Sequence, residues 1–176
     1  INYIVIDSDI TIDEIINKTK KYITDGKAFA IVVRKGTFEK DKRSFDTQDH
    51  LPKRKEALKK IVSIFSKETL FISTTGKLSR ELYEIRKNSN EECNDLYVVG
   101  GMGHASAISA GMLNKVKEKT IVCLDGDGSV LMHMGSLATL ANIKTKKFFH
   151  IIFNNSAHES VGGQPTIYNM LDTKNL

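Results

Sequence analysis

Two short apolar segments, separated by a helical segment, constrain the fold more than any other feature of the chain. Residues 121–124 (IVCL) and 148–153 (FFHIIF) have the length and composition of buried parallel strands. The segment between them carries apolar residues at helical spacing, so one continuous helix is predicted there. A strand, a helix and a second strand form the repeating unit of a parallel sheet. The chain is therefore predicted to be an α/β protein with an open, mostly parallel sheet and helices on both faces.

Polar side chains follow both predicted strands at the point where each strand ends. Residues 125–129 (DGDGS) come after the first strand, and two asparagines at 154–155 come after the second. Because open parallel sheets bind ligands at the carboxyl ends of their strands, Asp127 and an asparagine side chain are predicted to meet there. Carboxylate and amide oxygens suit Mg²⁺ that also holds a phosphate group. A simple tight turn is the alternative, whereas a calcium loop fails because no acidic ligand follows at the required spacing.

The order GDGS, helix, strand and NN resembles the diphosphate-binding motif of thiamine diphosphate enzymes. Asp127 and Asn155 lie 28 residues apart, within the usual range of that motif. The continuation NNSAHESVGGQPT resembles the phosphonopyruvate decarboxylases, with the sulfopyruvate decarboxylase beta subunits as a sister family. The resemblance implies thiamine diphosphate and Mg²⁺ as cofactors, with the ion held by Asp127, Asn155 and the carbonyl group of Ala157. It also implies decarboxylation of a small 2-keto acid, 3-phosphonopyruvate, to phosphonoacetaldehyde and CO₂.

Two further loops are predicted to reach the same edge of the sheet. Residues 74–77 (TTGK) follow one predicted strand, and residues 100–103 (GGMG) follow another over residues 96–99. Hydroxyl groups, a glycine and backbone N–H groups at a helix start suit an anion, although an ordinary connection has the same composition. In the resembling family the carbonyl of Gly100 binds the aminopyrimidine and Met102 bends the cofactor; a core methionine is the alternative. The predicted cofactor contacts are Thr74, Thr75, Gly76, Gly100, Gly101, Met102, Gly126, Asp127, Gly128, Ser129, Asn155 and Ala157.

Histidines near these loops are the candidates for catalysis. His158 follows the predicted metal loop, and its neighbour Glu159 could also meet substrate or relay a proton, although both could equally lie on the surface. His104 is close to the cofactor by its position in the chain. At least one of Thr75, Lys77 and His158 is expected to bind the anionic group of the substrate. Three other residues are predicted to be structural, namely His133, His150 and Cys123.

Two other classes of function remain open from the residues alone. Gly101, Gly103 and Ser106 approximate the glycine pattern of dinucleotide-binding folds, and Asp125 ends the next strand, where such folds place an acid for the ribose. The third glycine is missing, and thermal shifts with NAD or with thiamine diphosphate and Mg²⁺ would separate the two readings. The other alternative is a non-catalytic partner module that keeps the fold.

The chain is predicted to consist of three parts. Residues 1–38 resemble the tail of a pyrimidine-binding domain, residues 39–52 form a charged linker, and residues 53–176 form the diphosphate-binding domain, truncated at its C-terminus. Enzymes of the resembling family need a glutamate from a pyrimidine-binding domain. The chain alone is therefore expected to be inactive, and to complete its site with such a domain from the same parent chain or from a partner subunit, as a homo-oligomer.

The composition limits the remaining possibilities. The 176 residues are 40% hydrophobic and 27% charged, with a net charge of +5. The lysines are scattered, and no basic patch interleaved with aromatic residues accompanies them, so nucleic acid is not an expected partner. No apolar run approaches a membrane span and no signal peptide is recognisable, so a cytoplasmic location without a membrane partner is expected.

Overall fold

A computed structural model describes residues 1–39, 52–89 and 94–172. The chain divides into two compact units, residues 1–46 and residues 47–176. Nearly all of the predicted linker lies outside the described residues, so the predicted domain boundaries remain predictions.

The first unit is a single strand–helix–strand repeat. Strands β1 (Asn2–Ile6) and β2 (Phe29–Val33) are parallel neighbours, and helix α1 (Ile12–Thr24) connects them. The helix begins with a capping box, in which the Glu14 backbone N–H donates to the Thr11 hydroxyl and the Thr11 N–H donates to the Glu14 carboxylate. These paired bonds satisfy donors that helix geometry leaves free, and they fix where the helix starts.

The second unit contains a fully parallel four-stranded sheet. Its strands are β3 (Leu70–Ser73), β4 (Leu96–Tyr97), β5 (Ile121–Gly126) and β6 (Phe148–Phe153), in the spatial order β4-β3-β5-β6. Strands β3 and β5 lie in the centre, where nearly every residue is buried. Because both faces of a central parallel strand are covered, these strands are apolar without alternation. The predicted α/β class with a parallel sheet is confirmed.

In the described residues of the second unit, five helices precede or connect the strands of this sheet, and small elements follow its last strand. The helices are α2 (Arg54–Ile64), α3 (Lys77–Asn88), α4 (Ala105–Leu113), α5 (Asp127–Met132) and α6 (Gly135–Ala141). After β6, the short strands β7 (Ala157–His158) and β8 (Gln164–Pro165) pair antiparallel. Two single-turn 3-10 helices cover Glu159–Val161 and Tyr168–Met170. No helix in the described part of the chain is long and apolar enough to span a membrane.

The core lies in two layers, one on each face of the sheet. Successive side chains of a strand point to opposite faces, so neighbouring residues of β3 and β5 join different layers. One layer packs the strands against α2 and α3, and the other packs them against α4. The first layer contains Leu58, Phe71, Leu78, Leu82, Ile85, Val122 and Leu124, and the second contains Leu70, Ile72, Val98, Ala105, Ile121 and Cys123.

Three predicted elements differ from the structure. Strand β5 continues to Gly126, two residues beyond the predicted end at Leu124, and α5 follows it directly. The single helix predicted between β5 and β6 is two helices, because the backbone of His133 leaves the helical region at φ −140° and ψ 46°. Gly135, a weak helix former, begins the second helix, so a break at this point costs little. Strand β4 stops at Tyr97 rather than at Val99. Val99 is 88% exposed, and the next residue, Gly100, has a positive φ.

Candidate functional site

The loops that follow β3, β4 and β5 begin side by side at the carboxyl edge of the sheet. The Thr74 N–H donates to the Leu124 carbonyl at 2.9 Å, and the Val98 N–H donates to the Ser73 carbonyl at 2.9 Å. These bonds continue the parallel pairing one residue beyond the strands. The three loops therefore leave the sheet at one level, which is where parallel sheets bind ligands.

Ser129 connects three of the predicted cofactor segments. Its Oγ lies 2.8 Å from the Oγ1 of Thr74 and accepts a hydrogen bond from the Gly103 N–H at 3.0 Å. Ser129 is 2% exposed, and Thr74 and Gly103 are also buried. One side chain of α5 thus fixes the loop after β3 and the glycine loop before α4.

The hydroxyl groups of Thr74 and Ser129 carry two hydrogens, but only one of these hydrogens forms a hydrogen bond among the described residues. One hydrogen forms the bond between them, and within the described residues neither oxygen donates to another group. A buried hydroxyl donor without an acceptor is uncommon, because it loses its bond to water on folding. The spare O–H lies at the edge where the sequence predicts a diphosphate group, and it suits an anionic oxygen.

Asp127 is the first residue of α5 and is 3% exposed. Its Oδ2 accepts a hydrogen bond from the Thr166 hydroxyl at 2.5 Å. Among the described residues, no lysine, arginine or histidine forms an ion pair with this carboxylate. Burying a carboxylate without a counter-charge is costly, so the site favours a bound cation.

The loop after β6 presents oxygen atoms held by local turns. The Oδ1 of Asn154 accepts from the Ser156 N–H at 2.9 Å, and the Oδ1 of Asn155 accepts from the Ala157 N–H at 3.1 Å. Ser156 has a φ of 56°, in the left-handed region, and its carbonyl accepts from the Thr166 N–H at 2.8 Å. The turns fix both asparagine side chains. The Asn154 Oδ1 also accepts from the Ser156 hydroxyl at 3.4 Å, whereas the Asn155 Oδ1 keeps a second lone pair among the described contacts.

Strand pairing brings this loop beside Asp127. Gly126 lies opposite Phe153 in the β5–β6 ladder, so both chains leave the sheet at the same level. Thr166 connects the two sides, because its hydroxyl binds Asp127 and its N–H binds the loop. A carboxylate, an amide oxygen and the Ala157 carbonyl are all hard oxygen donors, which is the set that fits Mg²⁺.

His158 lies directly against α5. A Cβ atom placed on Gly128 would be 2.5 Å from the Cε1 atom of His158, so a larger residue there would have to displace the ring. The imidazole is half-buried. The structure therefore brings His158 into contact with the GDGS segment.

His104 has a neighbour that the sequence did not predict. Its ring and that of His133 have centroids 4.1 Å apart, and both residues are exposed. Gly103, at φ 87°, lies beneath them, and a Cβ there would be 2.7 Å from Cδ2 of His133 and 3.1 Å from the Ser129 carbonyl oxygen. His133 reaches this position because the helix breaks there, and the prediction of a continuous helix concealed it.

The Glu159 carboxylate accepts hydrogen bonds from two cationic side chains. The Lys77 Nζ donates to Oε1 and the Arg54 Nη1 donates to Oε2, each at 2.7 Å. Arg54 also donates to both carboxylate oxygens of Glu81 in α3 at 2.9 Å. The hydrogen bond from Lys77, followed by that from Arg54, lowers the pKa of Glu159. Lys77, an expected contact for the substrate anion, is thus paired within the chain.

A second polar group is buried beneath the site. The Asp125 carboxylate is 0% exposed, accepts from the Gly126 N–H at 3.1 Å and lies 3.3 Å from Nε2 of His150. Cys123 lies beside them, and burial, followed by the charge of Asp125, raises the pKa of its thiol to about 12. Since Asp125 is enclosed in this group, it is out of reach of a ribose hydroxyl, which argues against the dinucleotide-binding alternative.

The same residues are similar in sequence to a known domain family and to two groups of decarboxylases. The family model described as "Thiamine pyrophosphate enzyme, C-terminal TPP binding domain" matches residues 74–175, more than half of the chain. A phosphonopyruvate decarboxylase of Streptomyces viridochromogenes is 36% identical over 121 residues, 69% of this chain and 29% of that protein. The sulfopyruvate decarboxylase subunit beta of Methanocaldococcus jannaschii is 38% identical over 115 residues, 65% of this chain and 58% of that protein. The chain thus matches less than two thirds of the length of either relative.

Proposed function

Because the chain belongs to the family of thiamine pyrophosphate enzymes through their C-terminal TPP-binding domain, we propose that its sheet edge binds the diphosphate of this cofactor through Mg²⁺. The predictions of family and cofactor are confirmed by this membership. In the proposal, Asp127, Asn155 and the Ala157 carbonyl hold the ion. The observation that carries it is the buried Asp127 carboxylate, which has no cationic partner among the described residues and lies beside the oxygen-rich loop after β6.

The hydroxyl pair of Thr74 and Ser129 is proposed to bind the diphosphate directly. Its spare hydrogen is buried at the same edge, and a phosphoryl oxygen would accept it. Ser129 would also fix the glycine loop, because its Oγ accepts from Gly103. The other predicted contacts stay predictions, namely Thr75, Gly76, Gly100, Gly101, Met102, Gly126 and Gly128.

The proposed reaction is the decarboxylation of a 2-keto acid with an anionic tail. Bound thiamine diphosphate supplies an electron sink for the charge left when CO₂ departs. This chain would hold and orient the diphosphate and neutralise its charge, and His158 would face the substrate side of the loop. The proposed substrate is 3-phosphonopyruvate, giving phosphonoacetaldehyde and CO₂. Sulfopyruvate is supported equally, because relatives named for each activity are similarly identical to the chain.

Binding of the substrate anion is proposed to depend on Thr75 or His158. Both residues are half-buried on loops at the proposed cofactor edge. Lys77 could contribute only if its ammonium left Glu159, which it contacts at 2.7 Å. A proton-transfer role for His158 or for His104 remains a proposal. Turnover of the complete enzyme on phosphonopyruvate and on sulfopyruvate would decide between the two substrates.

The proposed partner is a pyrimidine-binding domain, from the same parent chain or from a second subunit. The family resemblance implies that such a domain carries the glutamate that activates the cofactor. One relative is named as a beta subunit, which supports a subunit arrangement for this chain as well. Assembly into a homo-oligomer and a cytoplasmic location are retained as proposals.

The substitution Asp127→Asn tests the metal assignment. It keeps the size of the side chain and one oxygen, but it removes the charge that would attract the ion. We expect Mg²⁺-dependent binding of thiamine diphosphate, measured by calorimetry, to weaken by about a hundredfold or more, because loss of residues that only orient metal ligands already costs about 10–100-fold. Asp13→Asn, at the exposed first turn of α1, is the matched control and should bind as the parent does. If Asp127→Asn also binds the cofactor with unchanged affinity, the metal assignment is wrong.

A further inference from the structure

Glu159 joins three separate segments of the second unit at one carboxylate. Lys77 is the first residue of α3, and Arg54 is the first residue of α2. Each donates to a different oxygen of Glu159 at 2.7 Å. Arg54 is itself fixed by two bonds to Glu81, one turn further along α3. A planar guanidinium held in this bidentate way is a rigid support for a third group.

The segment before Glu159 carries the proposed metal loop and His158. Asn155, Ala157 and His158 lie within four residues of Glu159 along the chain, and the 3-10 helix begins at Glu159 itself. On the other side, the His158 ring rests on Gly128 of α5. The short segment is therefore held between α5 and the Lys77–Arg54 pair.

Both oxygens of Glu159 are occupied by these cations, so the carboxylate is not placed to transfer a proton to a substrate. We propose that Glu159 is a positioning residue, which fixes His158 and the metal loop by binding Lys77 and Arg54. The proposal rests on the proposed function in so far as that loop holds Mg²⁺. It replaces the expectation that Glu159 meets substrate or relays a proton.

The substitution Glu159→Gln tests the proposal with two measurements. The first is the ¹Hε1–¹³Cε1 NMR signal of His158, which reports on the position of the ring without any cofactor. The signal is assigned by its loss in the variant His158→Gln. The second is the Mg²⁺ affinity at a fixed concentration of thiamine diphosphate. We expect the His158 signal to shift and the Mg²⁺ affinity to fall on the order of tenfold, as for other groups that orient metal ligands.

Glu84→Gln is the matched control. The Lys55 Nζ contacts the Glu84 carboxylate at 2.6 Å and also joins α2 to α3, but this pair does not involve the loop. We expect the control to leave both measurements unchanged. Glu159→Gln also leaves Lys77 unpaired and so changes the net charge near the loop. The double variant Lys77→Met with Glu159→Gln restores the parent net charge but not the contact. If Glu159 acts by positioning the loop, the Mg²⁺ affinity of the double variant stays low.

Three outcomes would overturn the proposal. One is a Glu159→Gln protein with the parent His158 signal and the parent Mg²⁺ affinity. Another is recovery of the parent affinity in the double variant, which would assign the effect to net charge. The third is an equal loss in Glu84→Gln. If the parent itself binds no cofactor, the proposed function fails, and the His158 signal still decides the positioning role.

Discussion

Ser129 offers the most direct test of how the site is held together, through the substitution Ser129→Ala. The change removes the only oxygen that accepts from the Gly103 N–H among the described residues. Because Gly103 is buried, its N–H would be left without a partner, at a cost of about 1–3 kcal/mol. The Thr74 hydroxyl also loses its neighbour, which adds to the same effect. We expect the second unit to be destabilised by roughly 2–3 kcal/mol.

Ser109→Ala is the matched control. Ser109 is also buried, but its hydroxyl donates at 2.8 Å to the Ala105 carbonyl, one turn back in α4. That carbonyl is four residues before Ser109 and is the usual acceptor of its backbone N–H, so the loss should be about 1 kcal/mol or less.

Hydrogen exchange measures both variants in the same way. The amides of residues 121–124 in β5 report on opening of the whole second unit, and the Gly103 amide reports on the loop. We expect Ser129→Ala to lower the protection of both, with the larger change at Gly103. If Ser129→Ala is no more destabilised than Ser109→Ala and the Gly103 amide keeps its protection, the bridging role of Ser129 is refuted.

Two further predictions concern packing and pH. Gly128→Ala should push the His158 ring away from α5 at a cost of about 1 kcal/mol or more, measured by urea unfolding and by the His158 NMR signal. Gly135→Ala is the control and should be neutral or stabilising, because an added Cβ there meets nothing within 4 Å. Equal behaviour of the two variants would contradict the contact between Gly128 and His158. Burial raises the pKa of Cys123 from 9.0 to about 12, so its contribution to stability is complete below pH 9 and is lost as the pH rises from 9 towards 12. The chain has one other cysteine, Cys93, and the substitution Cys93→Ser leaves Cys123 as its single thiol. In that variant the thiolate absorbance should appear far above pH 9 while the protein is folded, and a transition near pH 9 in the folded protein would contradict this prediction.

The sheet and its binding edge could be predicted because they depend on local patterns. Strands β3 and β5 are short apolar runs, as is typical of central strands in a sheet covered on both faces. Their carboxyl ends must meet at one edge, so the position of Asp127 near the loop after β6 follows from the order of elements. The capping box of α1 is also a local pattern, since it joins two residues that are three apart in the sequence.

The contacts that complete the site could not be predicted, because they join residues far apart in the chain. Thr166 donates to Asp127 from the segment after β8, and no periodicity marks it. Arg54 belongs to a charged run that is typical of a solvated helix, yet it holds Glu159. Lys77 is one of many lysines, and only the fold shows which acid it contacts. The break at His133 depends on backbone angles that propensity alone does not set.

The order of the strands also has a consequence for the way the chain folds. Leu70 of β3 lies opposite Ile121 of β5, although α3, β4 and α4 lie between them in the sequence. During synthesis, β3 therefore emerges long before its central neighbour, and among the described strands its one other sheet neighbour is the two-residue strand β4. Sheets that depend on such distant pairs fold slowly and expose apolar strands while they wait. The buried strand that supports the proposed cofactor edge is thus also open to aggregation while the chain is being synthesised.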